Sequence, residues 1–173
     1  MTLRERAKKI KLLLLDVDGV LTDGRIIYDS KGSDLKLFDV HDGLGVFLLR
    51  QMGIKTILIT AKGSKATHPR ARDMRIEKIY ADIVPKTKVY KTILKDYALR
   101  DDEICFVGDD LVDIGILRQV GLPIAVSNAT PEVKHTSKYI TKKQGGRGAV
   151  REVAELILKS QNKWQKALQL YAR

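Results

Sequence analysis

The sequence has few of the features that mark exported or membrane-spanning proteins. Its one cysteine, Cys105, lies in an apolar segment and cannot form an internal disulfide, so we interpret it as an inert core thiol. The apolar stretches are only a few residues long, which is too short to span a bilayer. The charged N-terminus lacks the apolar region of a signal peptide. These absences predict a cytoplasmic protein.

Aromatic residues are also scarce, at 6% of the chain, and no aromatic RNA-binding signature occurs. The formal net charge is +11, which can indicate nucleic acid, an anionic membrane surface or a phosphorylated substrate. The lysines and arginines are interleaved with acidic residues and are not gathered into one block. We therefore favour a small anionic substrate, and expect neither nucleic acid nor membrane as a partner.

The remaining composition, 44% hydrophobic and 31% charged over 173 residues, predicts a single domain over residues 1–173. Short apolar segments alternate with segments of helical spacing, which predicts an α/β fold with a Rossmann-like, doubly wound parallel sheet. The predicted strands are Lys11–Val17, Lys55–Ile59, Ile79–Ile83, Ile104–Val107, Pro123–Val126 and Tyr139–Ile140. The predicted helices are Leu44–Met52, Lys65–Arg75, Thr87–Ala98, Leu111–Val120 and Ala149–Ser160.

Two segments depart from this alternation. Residues 25–38, with a five-residue loop at 29–33, predict a β-hairpin inserted after the first strand. The C-terminal tail, about residues 161–173, carries apolar side chains at helical spacing and predicts a short helix. That helix either packs on the body of the domain or contacts a second subunit, and the sequence leaves both open.

Polar residues stand at the ends of successive predicted strands. The first strand ends at Asp16 and Asp18, the second at Thr60, and the fourth within residues 108–113, while Lys86 follows the third. In an open parallel sheet, ligands bind outside the carboxyl ends of the strands. Carboxylates gathered there would repel one another unless a cation neutralised them, and such oxygen ligands suit Mg²⁺.

These four motifs resemble, in order and spacing, those of the haloacid dehalogenase superfamily of aspartate-based phosphohydrolases. The resemblance implies that Asp16 attacks phosphorus and forms an aspartyl-phosphate. It implies that Asp18 protonates the leaving alcohol and then deprotonates the hydrolytic water. Thr60 would donate a hydrogen bond to the phosphoryl oxygens, and Lys86 would balance the developing charge.

The same resemblance implies a Mg²⁺ site formed by Asp16, the backbone carbonyl of Asp18 and Asp109. Asp110 or Asp113 would hold water molecules on the metal. The intervals between Asp16 and Thr60 and between Thr60 and Lys86 are too short for a cap domain. A capless site is open to water, and a neighbouring subunit acting as a lid would close it.

Local motifs indicate a narrower group. Residues 16–24, 38–43, 108–113 and 145–152 together resemble the 3-deoxy-D-manno-octulosonate 8-phosphate phosphatases of lipopolysaccharide synthesis, which are capless homotetramers. The glycine-rich segment around Arg147 would then help to close the site. The resemblance implies substrate-binding residues, some supplied across a subunit interface, at Asp18, Asp39, Val40, His41, Asp42, Gly43, Phe47, Lys62, Arg70 and Lys86.

One departure from that group leaves the sugar open. The group usually has Thr-Gly-Arg at the second motif, where this chain has Thr60-Ala61-Lys62. A lysine keeps the charge but loses bidentate geometry toward a carboxylate or a phosphate. A phosphatase for another sugar phosphate is therefore the first alternative to this interpretation.

Two alternatives of other classes are less consistent with the sequence. A phosphoaccepting receiver domain would place its phosphoacceptor on a later strand, whereas here the Asp-x-Asp pair follows the first. A catalytically silent relative, kept for oligomerisation, would have lost Asp16 or Asp109, and this chain retains both.

Overall fold

The computed structural model describes residues 1–172, which form eight strands, eight α-helices and two 3₁₀ turns. The strands are β1 (Leu12–Leu15), β2 (Ile27–Tyr28), β3 (Asp34–Leu35), β4 (Lys55–Ile59), β5 (Lys78–Tyr80), β6 (Ile104–Gly108), β7 (Leu122–Ala125) and β8 (Tyr139–Ile140). The helices are α1 (Leu3–Lys9), α2 (Val40–Gln51), α3 (Thr67–Asp73), α4 (Thr87–Asp96), α5 (Ile114–Leu117), α6 (Pro131–Thr136), α7 (Ala149–Ser160) and α8 (Trp164–Leu168). The 3₁₀ turns are Asp101–Glu103 and Leu111–Asp113.

Six strands form one parallel sheet in the order β5-β4-β1-β6-β7-β8. From the central β1 the chain passes first to β4 on one side and later to β6 on the other. Such a reversal of strand order opens a crevice at the carboxyl ends of the strands. The predicted doubly wound parallel sheet is confirmed, and no cap domain is evident within residues 1–172.

The central strands are buried on both faces. All four leucines of β1 and all five residues of β6 are buried. Continuous apolar strands of this kind are typical of a parallel sheet covered by helices on both sides. Helix α7 contacts both α1 and α2, and α5 contacts both α4 and α6. The rigid sheet therefore fixes the ends of β1, β4 and β6 relative to one another.

The predicted hairpin is present as a separate two-stranded antiparallel sheet. β2 pairs with β3 in the register Ile27↔Leu35 and Tyr28↔Asp34. The Asp29 carboxylate closes the turn, since its Oδ1 accepts from the backbone N of Lys31 and of Ser33, each at 2.8 Å. The paired strands are shorter than the sequence predicted.

Other boundaries differ from prediction for local reasons. Helix α1 was not predicted, although Thr2 and Glu5 form a capping box at its start. Helix α6 was also missed, and it begins at Pro131, a favoured first helical position. The predicted helix at residues 111–120 is instead a 3₁₀ turn followed by the short α5.

The C-terminal tail contains α8 and packs against α7. The Trp164 ring lies under two cations of α7, with Arg151 Cζ at 5.4 Å and Lys159 Nζ at 5.1 Å from the ring centre. Ala167 is buried. The helix therefore packs on the body through Trp164 and Ala167, while Leu168 and Tyr171 are exposed, so a contact to a second subunit stays a prediction. The last residue of the predicted tail lies outside the described residues. Within residues 1–172, none of the helices is long and apolar enough to cross a bilayer.

Candidate active site

The carboxyl ends of β1, β4 and β6 open into one cleft of about 290 Å³, called here the Asp16 cleft. It contains all four residues predicted to be catalytic, together with two acidic residues of the fourth motif. Its lining residues are Asp16, Asp18, Gly24, Ile26, Thr60, Ala61, Lys62, Lys86, Asp109, Asp110 and Val112. Residues far apart in the chain are therefore brought together as the strand order predicts.

Lys86 is the buried cation at the base of this cleft. Its side chain is 1% exposed, and its Nζ lies 2.6 Å from Asp16 Oδ1 and 2.7 Å from Asp113 Oδ1. The other oxygen of Asp113 accepts from the backbone N of Asp109 at 2.9 Å. Asp113 thus fixes both the ammonium of Lys86 and the loop after β6. Sequence reasoning expected Asp110 or Asp113 to hold metal-bound water and missed this contact to Lys86.

The charges in the cleft repel one another and are poorly solvated. Burial, and then the charge of Asp113, raise the pKa of Asp16 to about 6 against the opposing effect of Lys86. Burial, and then Asp16 and Asp113, raise the pKa of Asp109 to about 8. Burial disfavours the ammonium of Lys86, but Asp16 and Asp113 outweigh it and raise the pKa of Lys86. The protein alone supplies too little positive charge to neutralise these carboxylates.

The donor set fits a divalent cation. Asp16, Asp109 and Asp113 each offer a carboxylate oxygen, and these oxygens lie within 4.8 Å of one another. Asp109 Oδ1 is buried without a hydrogen-bond partner, which would be costly unless a ligand completed it. Both oxygens of Asp113 already accept hydrogen bonds, so Asp16 and Asp109 are the side chains best able to ligate.

The position of Gly19, directly after the second aspartate of the first motif, requires a glycine. The residue has φ +90°, and an added Cβ would lie 1.9 Å from Asp109 Oδ2. A larger residue would therefore push Asp109 away from Asp16. The backbone must pass this close for the carboxylates of two strands to share one site.

Thr60 and Lys62 belong to the loop after β4. Thr60 is 2% exposed, and its hydroxyl donates to the Lys62 carbonyl at 3.0 Å. The ammonium of Lys62 donates to the Tyr28 hydroxyl at 2.8 Å. Lys62 therefore links the Asp16 cleft to the hairpin.

A second contact from the hairpin was missed by sequence reasoning. Lys36 follows β3, and its side chain is 8% exposed. Its Nζ ion-pairs with Asp18 Oδ1 and lies 3.7 Å from Asp34 Oδ2. The sequence offered one signal for this position. On an extended segment successive side chains point to opposite faces, so Lys36 lies on the face opposite Leu35 and Leu37.

Other residues predicted to bind substrate lie outside the Asp16 cleft of their own chain. Asp39, Val40 and His41 line a second pocket of about 300 Å³, together with Arg147. Asp39 caps α2 by accepting from the His41 backbone N at 2.7 Å. The structure therefore divides the predicted substrate residues between two pockets.

Four further predicted residues lie on or against α2. Asp42 is buried, and its Oδ1 accepts from the Arg151 backbone N at 2.8 Å. A Cβ on Gly43 would lie 2.4 Å from Arg70 Nη2, and this nitrogen donates to the Asp39 carbonyl at 2.7 Å. Phe47 is half-buried on α2. Their roles in binding stay predictions.

Comparison with known proteins identifies the class to which this fold and site belong. Residues 49–153, more than half of the chain, match the sequence profile of haloacid dehalogenase-like hydrolases. The chain therefore belongs to this family, as its motifs indicated.

Similar individual proteins are sugar-acid phosphatases. The 3-deoxy-D-manno-octulosonate 8-phosphate phosphatase of Yersinia pestis is 39% identical over 163 residues, covering 94% of this chain and 87% of that protein. The crystal structure of the Moraxella catarrhalis enzyme, in complex with magnesium, phosphate and the sugar acid, has a TM-score of 0.95 and 40% identity, covering 98% and 97% of the two chains. The cobalt-bound structure of the deoxy-D-mannose-octulosonate 8-phosphate phosphatase from Haemophilus influenzae has a TM-score of 0.90 and 30% identity. The match covers 95% of this chain and 99% of that chain.

Proposed function

We propose that this chain is a Mg²⁺-dependent phosphatase that hydrolyses 3-deoxy-D-manno-octulosonate 8-phosphate to the free sugar acid and phosphate in lipopolysaccharide synthesis. The observation that carries the proposal is the meeting of Asp16, Asp18, Lys86 and Asp109 in one cleft. The similarity to phosphatases of that substrate, over nearly the whole chain, supports the choice of sugar.

The proposed reaction has two phosphoryl transfers. One Asp16 oxygen is held by Lys86, which leaves the other to attack phosphorus as the bond to the sugar oxygen breaks. Asp18 gives its proton to that oxygen. Water then attacks the phosphorus of the aspartyl-phosphate and gives a proton to Asp18. This hydrolysis releases phosphate and restores the Asp16 carboxylate and the protonated Asp18.

The remaining groups neutralise the charge of the phosphoryl group and orient it. Lys86 balances charge on the phosphoryl oxygens, and Thr60 would donate a hydrogen bond to them once its hydroxyl turns from the Lys62 carbonyl. We propose Mg²⁺ ligands at Asp16, Asp109 and the backbone carbonyl of Asp18. The bound ion would supply charge neutralisation to the phosphate and the two carboxylates.

We further propose a homotetramer in which a neighbour completes the site. The predicted substrate residues Asp39 to His41 line a pocket other than the Asp16 cleft. Apolar side chains around the hairpin are exposed, among them Ile26 at 62% and Leu37 at 66%. Exposed apolar clusters of this kind commonly mark a protein interface. The compartment we propose is the cytoplasm, in which a free thiol such as Cys105 persists.

Another sugar phosphate is the second candidate substrate, and Lys62 is the observation that favours it. Lys62 reaches the Tyr28 hydroxyl and is available to a substrate only as a single cation, without the two-point geometry of arginine.

The test is phosphate release from a panel of sugar phosphates, including 3-deoxy-D-manno-octulosonate 8-phosphate, with Mg²⁺ and with EDTA. We expect a strong preference for that substrate, loss of turnover in EDTA, and a fall of at least about 10³-fold in kcat for Asp16→Asn. Asp96→Asn, the same substitution at an exposed residue of α4, is the control and should retain the wild-type rate. Equal rates across the panel would contradict the proposed substrate. An active Asp16→Asn variant would show that Asp16 is not the nucleophile.

A further inference from the structure

Lys36 is a nearly buried cation whose ammonium contacts Asp18. Its side chain is 8% exposed, whereas that of Asp18 is 30% exposed. Among the hydrogen bonds within residues 1–172, Lys36 is the only donor that reaches the Asp18 side chain. A lysine side chain loses considerable conformational entropy when it is fixed in this way. A role of Lys36 in the reaction would explain why the chain carries this cost.

The contact selects one oxygen of the carboxylate. Lys36 Nζ pairs with Asp18 Oδ1 and leaves Oδ2 without a protein donor among the described residues. A group that transfers a proton must present one oxygen to the reacting atom at hydrogen-bond distance. A partly exposed aspartate without a partner would instead move between several rotamers.

The body of the domain holds Lys36 in place through the hairpin. Asp34 Oδ2 lies 3.7 Å from Lys36 Nζ, and Lys62 binds the Tyr28 hydroxyl on the other hairpin strand. Lys62, in the loop after β4, therefore holds β2, and Asp34 of the paired β3 lies beside the ammonium of Lys36.

We propose that Lys36 is a positioning residue: its ammonium donates to Asp18 Oδ1, so that the proton of the Asp18 carboxylic acid is held on Oδ2 and passes from there to the leaving oxygen. This inference rests on the proposed phosphatase function and adds to it a residue of the hairpin. Lys36 acts through Asp18, so removing it should slow the step in which the leaving group needs a proton. Attack by Asp16, which Lys86 holds independently, should be little affected.

The experiment compares two leaving groups in Lys36→Met, which keeps most of the length of the side chain and removes its charged end. An alkyl phosphate such as the sugar phosphate needs a proton on its leaving oxygen, whereas para-nitrophenyl phosphate releases a stable phenolate. We expect kcat/KM for the sugar phosphate to fall roughly 10- to 100-fold, no more than the low end of the roughly 10²- to 10⁴-fold that a general acid contributes, because Asp18 itself is retained. For the aryl phosphate we expect a change below about threefold.

Two further variants separate orientation from general damage to the hairpin. Lys31→Met removes an exposed lysine from the loop of the same hairpin and should change neither rate. Lys36→Arg retains a cation and should recover part of the lost rate on the sugar phosphate. Thermal unfolding of each variant reports whether the domain remains folded.

Several outcomes would overturn the inference. An equal loss on both phosphates would mean that Lys36 supports the whole cleft and not the proton transfer. A higher KM for the sugar phosphate at unchanged kcat would make Lys36 a substrate-binding residue. If the wild-type protein hydrolyses a different alkyl phosphate, the proposed sugar is wrong, but alkyl and aryl phosphates can still be compared in the Lys36 variants. If the wild-type protein hydrolyses no phosphate ester, both the proposed function and this inference are wrong.

Discussion

At the scale of single residues, Asp42 shows a carboxylate with a structural role within its own chain. It lies on α2 and accepts from the Arg151 backbone N, near the start of α7. Its Oδ2 is buried and has no hydrogen-bond partner among the described residues. Burial therefore raises the pKa of Asp42 from 3.8 to about 6, although the hydrogen bond from Arg151 opposes the rise.

This raised pKa predicts that Asp42 lowers stability as the pH rises. Between about pH 4 and 6 the folded protein holds a proton on Asp42 that the unfolded chain has lost, so the free energy of unfolding falls across this window. The side-chain amide introduced by Asp42→Asn keeps an acceptor for Arg151 and carries no charge. We expect the unfolding midpoint of Asp42→Asn, relative to wild type, to rise between pH 4 and 6 and then to level off.

Asp73→Asn is the matched control, because Asp73 is exposed at the end of α3. Its difference from wild type gives the baseline against which the difference for Asp42→Asn is compared. Thermal unfolding followed by circular dichroism at half-unit pH steps gives both differences. A level difference for Asp42→Asn would show that the buried carboxylate remains well solvated.

At the scale of elements, the glycine-rich segment before α7 braces the loop that follows β1. Gly146 N donates to the Val20 carbonyl at 3.0 Å, and Gly145 N donates to Asn128 Oδ1 at 2.8 Å. A Cβ on Gly145 would lie 1.7 Å from the Gly19 carbonyl oxygen. Backbone therefore packs directly on backbone, and the segment fixes the loop that carries Asp18.

We predict that Gly145→Ala displaces this loop. Overpacking of this kind costs about 1–3 kcal/mol, and the shift should also reduce kcat/KM by at least about tenfold because it moves Asp18 and Gly19. Gly53→Ala is the control, since a Cβ there meets nothing within 4 Å and only its φ of +83° adds strain. Thermal unfolding and phosphate release should show lower stability for both variants but lower activity for Gly145→Ala alone.

The elements also show how far the sequence was sufficient. The period of apolar residues predicted the six sheet strands, and the rule for parallel sheets predicted that Asp16, Thr60 and Asp109 would share one cleft. Side-chain contacts between elements could not be predicted in this way. The alternation around Lys36 indicates which face of the strand it lies on, but its contact with Asp18 also depends on how the hairpin docks. The contact of Asp113 with Lys86 depends on the rotamers of both side chains, which local sequence patterns do not specify.

At the scale of the whole molecule, one chain holds two incomplete parts of the predicted site. The Asp16 cleft contains the predicted catalytic groups, whereas Asp39 and His41 line the second pocket with Arg147. Arg70 donates to the Asp39 carbonyl at 2.7 Å and so belongs with this second group. In the homotetramer that we propose, the second group of one subunit would complete the Asp16 cleft of a neighbouring subunit.

This arrangement predicts complementation between two inactive variants. Asp16→Asn removes the nucleophile, and Arg70→Met removes a predicted substrate contact while leaving the Asp16 cleft intact. Co-expressed subunits should form some sites that pair an intact cleft with an intact Arg70 from the neighbour. With random one-to-one mixing, about one quarter of the sites should be complete, and phosphate release should recover to roughly that fraction of wild type.

Arg72→Met, at an exposed position on the same helix as Arg70, is the control and should be active without a partner. Sedimentation of each preparation establishes whether oligomers form, and thermal unfolding establishes that Arg70→Met is folded. Folded but inactive mixtures would mean that the neighbour does not supply Arg70. A fully active monomer would mean that each chain completes its own site, since substrate would then have to reach both pockets of one subunit.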